Sequence, residues 1–118
     1  MAVVANGLVL LVAALHLYFL VLEMFLWDKP LGLKVFGQSP EKAQITKVLA
    51  ANQGLYNGFL AAGLVWGLLL GTAGLHVKTF FLVCVVVAGV YGAASVSRRI
   101  LFIQAAPAAL ALMLLWLA

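Results

Sequence analysis

The sequence VVANGLVLLVAALHLYFLVLEMFLW, residues 3–27, decides the fold class of this chain. An α-helix rises about 1.5 Å per residue, so about 20 apolar residues cross the roughly 30 Å of hydrocarbon in a bilayer. A strand of a membrane barrel would instead alternate in polarity at every second residue, and this run does not. It has neither a basic segment before it nor a polar cleavage region after it, unlike a signal peptide. We therefore predict a retained membrane-spanning helix.

Three more apolar runs follow, at residues 48–70, 77–97 and 100–118. The chain has 118 residues, of which 67% are hydrophobic and 8% are charged. A soluble domain of this size buries only about 60–70% of the surface that its unfolded chain exposes, so it would leave a very large apolar patch in water. We predict one all-α domain over residues 1–118, a polytopic membrane protein folded as an antiparallel four-helix transmembrane bundle.

The positions of the basic residues predict the orientation of this bundle. Lys78 alone lies in the second connection. The other basic residues lie in the first and third connections: Lys29, Lys34, Lys42, Lys47, Arg98 and Arg99. Because basic connections favour the cytoplasm, we expect these two connections inside and both termini outside. The net charge of +4 comes without a basic stretch interleaved with aromatics, so we expect no nucleic-acid partner.

Two polar residues of the first predicted span are candidates for chemistry. His16 and Glu23 are seven residues apart, so at about 100° per residue they share one face of the helix. A carboxylate inside hydrocarbon must be neutral, paired with a cation or solvated by amide donors. The alternative for Glu23 is extension to the membrane surface, with Lys29 or Lys47 as its partner. The alternative for His16 is a neutral imidazole that only joins two helices.

The other spans place polar residues in the same cytoplasmic half of the bilayer. Span two carries four of them on an arc of about 140°, and spans three and four carry one or two each. We predict Glu23 and His16 as catalytic groups, and the following residues as ligand-binding: Asn52, Gln53, Tyr56, Asn57, Tyr91 and Gln104. In particular, an amide of Asn52, Gln53 or Asn57 should reach Glu23. The alternative is that these residues only hold helices together, at about 0.6–2 kcal/mol per pair.

Small residues in span two predict close contacts with neighbouring helices. Gly54, Gly58 and Ala61 form a stripe behind the polar arc, and a second series further along the span comprises Gly63, Gly67 and Gly71. Before the span, Ser39 followed by Pro40 predicts a helix that starts at Pro40 and is capped by Ser39.

Two segments resemble a known family: HLYFLVLEM at residues 16–24, followed by Trp27, and NQGLYNGFLAAG at residues 52–63. Together they look like the small bacterial and fungal integral membrane proteins grouped as domain of unknown function 1304. Tyr91-Gly92 and Gln104 with Pro107 fit the same pattern, so the resemblance covers essentially the whole chain. It implies a four-span membrane protein, and it supplies no reaction, substrate or ligand. For this chain we predict the bacterial cytoplasmic (inner) membrane.

From the sequence we predict a polar pocket in the cytoplasmic half of the bundle, with a transporter and a structural subunit as the two alternatives. A pocket that binds or acts on a small apolar molecule would use Glu23 and His16 as an acid–base pair. A proton-coupled transporter would use Glu23 to bind and release protons. A structural subunit, alone or as a homo-oligomer in membrane lipid, would use the small-residue stripes. No cofactor is identified; a haem or metal would take His16 as its ligand, but a second strong ligand is missing at that level.

Overall fold

The chain folds into α-helices joined by short turns. The structure is a computed structural model that describes residues 1–95 and 98–118. Its helices are α1 (Ala2–Met24), α2 (Pro30–Phe36), α3 (Pro40–Leu69), α4 (Leu75–Ser95) and α5 (Ala106–Leu117). A 3₁₀ turn, Gly71–Gly74, leads into α4, and a π-helical turn, Leu101–Ala105, leads into α5. The prediction of an all-α fold is confirmed. The predicted end of span three, residue 97, lies outside the described residues.

Two helices are long and apolar enough to cross a membrane by length and composition, Ala2–Met24 and Gly71–Ser95. The segment Leu101–Leu117 is apolar but shorter. α3 has 30 residues, yet its amide side chains, such as Asn52, Gln53 and Asn57, lower its hydropathy. The described residues therefore provide two candidate spans, whereas the apolar runs of the sequence predicted four.

The connection after α1 is more regular than the sequence suggested. Gly37 ends α2 in the left-handed conformation, with φ of 62°, and Gln38 N–H donates to the Leu33 carbonyl at 3.0 Å. Two residues later the Ser39 hydroxyl accepts a hydrogen bond from Lys42 N–H at 3.2 Å. α3 begins at Pro40, so the predicted Ser39 cap is confirmed. The short helix α2, which lies between α1 and α3, was not predicted.

The chain divides into two compact units, which we call unit 1 (residues 1–14 and 60–118) and unit 2 (residues 15–59). In unit 2, α3 approaches α1 closely at two glycines. A Cβ on Gly54 would lie 2.7 Å from Met24 Cγ and 3.3 Å from the Leu20 carbonyl oxygen, and one on Gly58 would lie 2.7 Å from Leu20 Cδ1. The predicted contact of this small-residue stripe with a neighbouring helix is confirmed at both positions.

Unit 1 has an apolar core to which all four of its long segments contribute. Its buried members include Val9, Leu64, Leu82 and Ala108. Close approaches again occur at glycines: a Cβ on Gly63 would lie 2.3 Å from the Phe81 ring. Around Gly71 a Cβ would meet nothing within 4 Å, and its φ is 64°. The prediction that Gly71 packs against a helix is therefore wrong, because this glycine supplies the backbone conformation of the turn.

The start of the fourth apolar segment is wider than an α-helix. Ala106 N–H donates to the carbonyl of Leu101, five residues earlier. Pro107, at the next position, has no N–H to donate, so an α-helical hydrogen-bond ladder cannot continue unbroken through this turn.

Candidate functional site

The candidate site lies in unit 2, where α1 and α3 pack side by side. The Asn57 side-chain amide donates a hydrogen bond to a carboxylate oxygen of Glu23. Both residues are buried, with 9% of Glu23 and 7% of Asn57 exposed. The prediction that a span-two amide reaches Glu23 is confirmed. The glycines Gly54 and Gly58 flank Asn57 and allow α1 to come near enough for this contact.

The other two amides of this arc do not share the position of Asn57. Asn52 and Gln53 are both exposed. Asn52 lies about 140° around the helix from Asn57, and Gln53 lies a full turn earlier along the axis. Tyr56 is also exposed, at 54%, and its ring lies 6.0 Å from that of Phe59. One of the four span-two residues predicted for the site is thus buried against α1.

We call the pair formed by α1 and the first part of α3 in unit 2 the hairpin. Two polar contacts join the residues that follow α1 to the first turns of α3. Trp27 Nε1–H donates to the Thr46 hydroxyl at 3.1 Å, and Lys47 Nζ donates to Asp28 Oδ2 at 3.0 Å. The hydrogen bond from Lys47 lowers the pKa of Asp28, which keeps this carboxylate ionised. Lys47 was one of the two cations that the alternative interpretation assigned to Glu23. Because it binds Asp28 and Glu23 remains buried, that alternative does not describe this structure.

His16 occupies the same face of α1 as Glu23, as predicted, and is completely buried. Its ring meets that of Phe19 edge-on, with 5.5 Å between centroids. Seven residues correspond to about 10 Å along a helix axis, which exceeds hydrogen-bonding distance. Proton transfer between His16 and Glu23 would therefore need an intervening group.

The two remaining candidates belong to unit 1. Tyr91 on α4 is 74% exposed, and its backbone carbonyl accepts a hydrogen bond from the Ser95 hydroxyl at 2.6 Å. Gln104 lies half-buried in the π-helical turn.

A second buried polar contact, which was not predicted from the sequence, lies in unit 1. Lys78 was interpreted only as a topology marker, yet it is 5% exposed, and its Nζ donates to Asn6 Oδ1 at 2.9 Å. A Cβ on Gly67 would lie 2.6 Å from Lys78 Cγ, so the absence of a side chain there makes room for the lysine stem. The available signal was that a polar residue, Asn6 in one case and Lys78 in the other, lies near the first residue of each of two apolar runs.

Comparisons with known proteins match this chain to a family that is described as being of unknown function. The family profile described as "Protein of unknown function (DUF1304)" matches residues 10–116. A curated relative, "Uncharacterized protein YpaA" of Lactococcus lactis subsp. lactis (strain IL1403), is 30% identical over 114 residues, covering 95% of this chain and 96% of the relative. No solved structure matches.

Proposed function

This chain belongs to the DUF1304 family, and we propose that it is an integral membrane protein whose Glu23–Asn57 pair binds a small, largely apolar molecule or acts on it by acid–base chemistry. The observation that carries the proposal is a buried carboxylate whose described partner is an amide. Holding two helices together requires only a neutral pair such as two amides. Burying a carboxylate instead carries a desolvation penalty of several kcal/mol, so its presence suggests use of the acid itself.

The surroundings of Glu23 suggest the class of molecule. Leu20 and Met24 lie on α1 on either side of Glu23 in sequence, and α3 presents Gly54 beside it in addition to the amide of Asn57. A ligand here would make mostly apolar contacts and one polar contact with Glu23. A group with a transferable proton could exchange it with the carboxylate, which the Asn57 amide holds in a defined orientation.

The membrane arrangement is also part of the proposal. α1 and Gly71–Ser95 supply two spans by their length and composition. We propose α3 and the segment Leu101–Leu117 as the other two, giving four. At about 1.5 Å per residue, the 30 residues of α3 are longer than the hydrocarbon, so its first turns would stand in the cytoplasm. The shorter last segment would be accommodated by local thinning of the bilayer.

Cysteine labelling tests this arrangement. In a Cys84→Ala background, we expect Glu41→Cys and Thr72→Cys to react with a membrane-impermeant thiol reagent from opposite sides of sealed vesicles, because both positions are exposed and α3 is the one proposed span between them. If only α1 and Gly71–Ser95 crossed the membrane, positions 41 and 72 would lie on the same side. Reaction of both from the same side would show that the span count is wrong.

Co-purification tests the ligand. We expect wild-type protein, purified in mild detergent from its native host, to retain a small molecule detectable by mass spectrometry, and the Glu23→Gln variant to lose most of it. Glu41→Gln is the matched control, because Glu41 is exposed at the start of α3. A visible spectrum of the same samples would reveal a haem. The same molecules in all three samples would refute the proposed site.

A proton-coupled transporter is the second candidate, and the same buried carboxylate favours it. Intramembrane acids are common in proton relays of transporters. The two candidates differ in the measurement that Glu23→Gln should change: ligand retention for a binding site, and proton flux in sealed vesicles for a transporter.

A further inference from the structure

Helix α3 has two opposite faces in unit 2, and each repeats every seven residues. One face is buried and includes Ala43, Ala50 and Asn57. The other face is exposed and includes Ile45, Asn52 and Phe59. At about 100° per residue the two series lie about 140° apart or more. The buried face is the one that contacts α1, so the exposed face has no role in the hairpin.

The exposed face has the pattern of a coiled-coil seam. Ile45, Asn52 and Phe59 are seven residues apart and can be assigned to position a of a heptad. Val48 and Leu55 then occupy position d. Val48 is 81% exposed and Leu55 is 42% exposed, so the a and d positions from residue 45 to residue 59 all face outward. In sequence the same spacing continues through Ala62, Trp66 and Leu69.

We propose that this seam, formed by Ile45, Val48, Asn52, Leu55 and Phe59, binds a second copy of the chain in a parallel homodimer. Ile at position a and Leu at position d are the residue types that favour two parallel strands, and a single Asn at position a specifies the register. Two copies inserted in the same orientation bring the α3 helices together in parallel, with Asn52 of each at the same depth.

Asn52 is the residue that selects an identical partner. Its amide carries both a donor and an acceptor, so two Asn52 side chains can satisfy each other across a two-fold axis. The flanking positions e and g carry Leu49, Ala51 and Tyr56, with no like charges that would separate two identical helices. Hydrogen bonds between amides also favour helix association within a bilayer.

This inference rests on the proposed orientation of α3 across the membrane and is independent of the Glu23 site. The Glu23→Gln variant should therefore dimerise as the wild type does. A cysteine-labelling result that contradicts the proposed orientation of α3 would also contradict the parallel dimer. A Glu23→Gln variant that retains the ligand would contradict only the proposed ligand site and not the seam.

Disulfide cross-linking of the full chain in native membranes tests the seam. In a Cys84→Ala background, we expect Asn52→Cys and Val48→Cys to form covalent dimers with an oxidant, because both positions face the symmetry axis. Gln53→Cys is the matched control: residue 53 is also exposed and is adjacent in sequence, but it occupies position b and points away from the axis. Equal cross-linking at residues 52 and 53, or none at either seam position, would overturn the proposal.

A second measurement does not depend on cysteine chemistry. Loss of one interhelical amide pair should raise the dissociation constant of the dimer about 3- to 30-fold. We expect this change for Asn52→Leu, measured by energy transfer between labelled copies in vesicles of increasing lipid content, and no change for Gln53→Leu. The melting temperatures of both variants serve to confirm that each is folded. An unchanged dissociation constant for a folded Asn52→Leu variant would contradict pairing through Asn52.

Discussion

The Glu23→Gln variant is expected to fold normally and to fail in complementing a deletion strain. Gln retains the shape of Glu and a carbonyl oxygen that accepts the hydrogen bond from the Asn57 amide, so the contact between α1 and α3 survives. What the substitution removes is the charge and the ability to give or take a proton. Growth of the complemented strain, under a condition in which the deletion strain is impaired, is the measurement.

The matched control for this experiment is Glu41→Gln, which removes an exposed carboxylate from the first turn of α3. It should restore growth as fully as the wild-type chain. Equal amounts of each variant in the membrane, measured by immunoblot, separate loss of function from loss of protein. If Glu23→Gln restores growth to the wild-type level, the carboxyl group serves only to join two helices, and both functional candidates fail.

Gly54→Leu is expected to destabilise the contact between α1 and α3 in unit 2. The first added carbon already lies 2.7 Å from Met24 Cγ, 3.1 Å from Glu23 Cβ and 3.3 Å from the Leu20 carbonyl oxygen. The Met24 side chain can turn away, but the backbone of α1 cannot move without breaking the Glu23–Asn57 contact. Overpacking of this kind destabilises by about 1–3 kcal/mol. The check is the midpoint of thermal unfolding in detergent.

Gly7→Leu is the appropriate control, because Gly7 also lies within a helix, α1, and a Cβ there would meet nothing within 4 Å. Leu is a better helix former than Gly by up to about 1 kcal/mol, so this variant should be as stable as the wild type or slightly more stable. A Gly54→Leu variant that melts at the same temperature as Gly7→Leu would show that α1 and α3 are not in close contact.

The sequence indicated the helical class, the Ser39 cap and the contact surface of α3 because each depends on local chemistry. An apolar run of sufficient length predicts a helix wherever it lies, and Ser39 caps the residues that directly follow it. The stripe of Gly54 and Gly58 predicted close approach of a second helix without saying which helix it was. It is α1, and it also brings Glu23 against α3.

The sequence also predicted that an amide of Asn52, Gln53 or Asn57 would reach Glu23, but it did not choose among the three. Angular position on an isolated helix is set by about 100° per residue, whereas the contact depends on the axial offset and separation of two packed helices. The close approach of Gly54 and Gly58 to Leu20 and Met24 sets the axial offset and the separation of α1 and α3. At that offset and separation, the amide that reaches Glu23 is that of Asn57.

What the sequence by itself determined is therefore what one segment can specify: the helical class, the Ser39 cap and the face of α3 that allows close approach. Only the tertiary structure decided which side chains meet. In the folded chain Asn57 donates a hydrogen bond to Glu23, and Lys47 donates one to Asp28. Lys78 donates to Asn6, which lies 72 residues earlier in the sequence. The physical reason is that a buried polar group takes the partner that packing brings within about 3 Å, and packing depends on side-chain volumes contributed by distant segments.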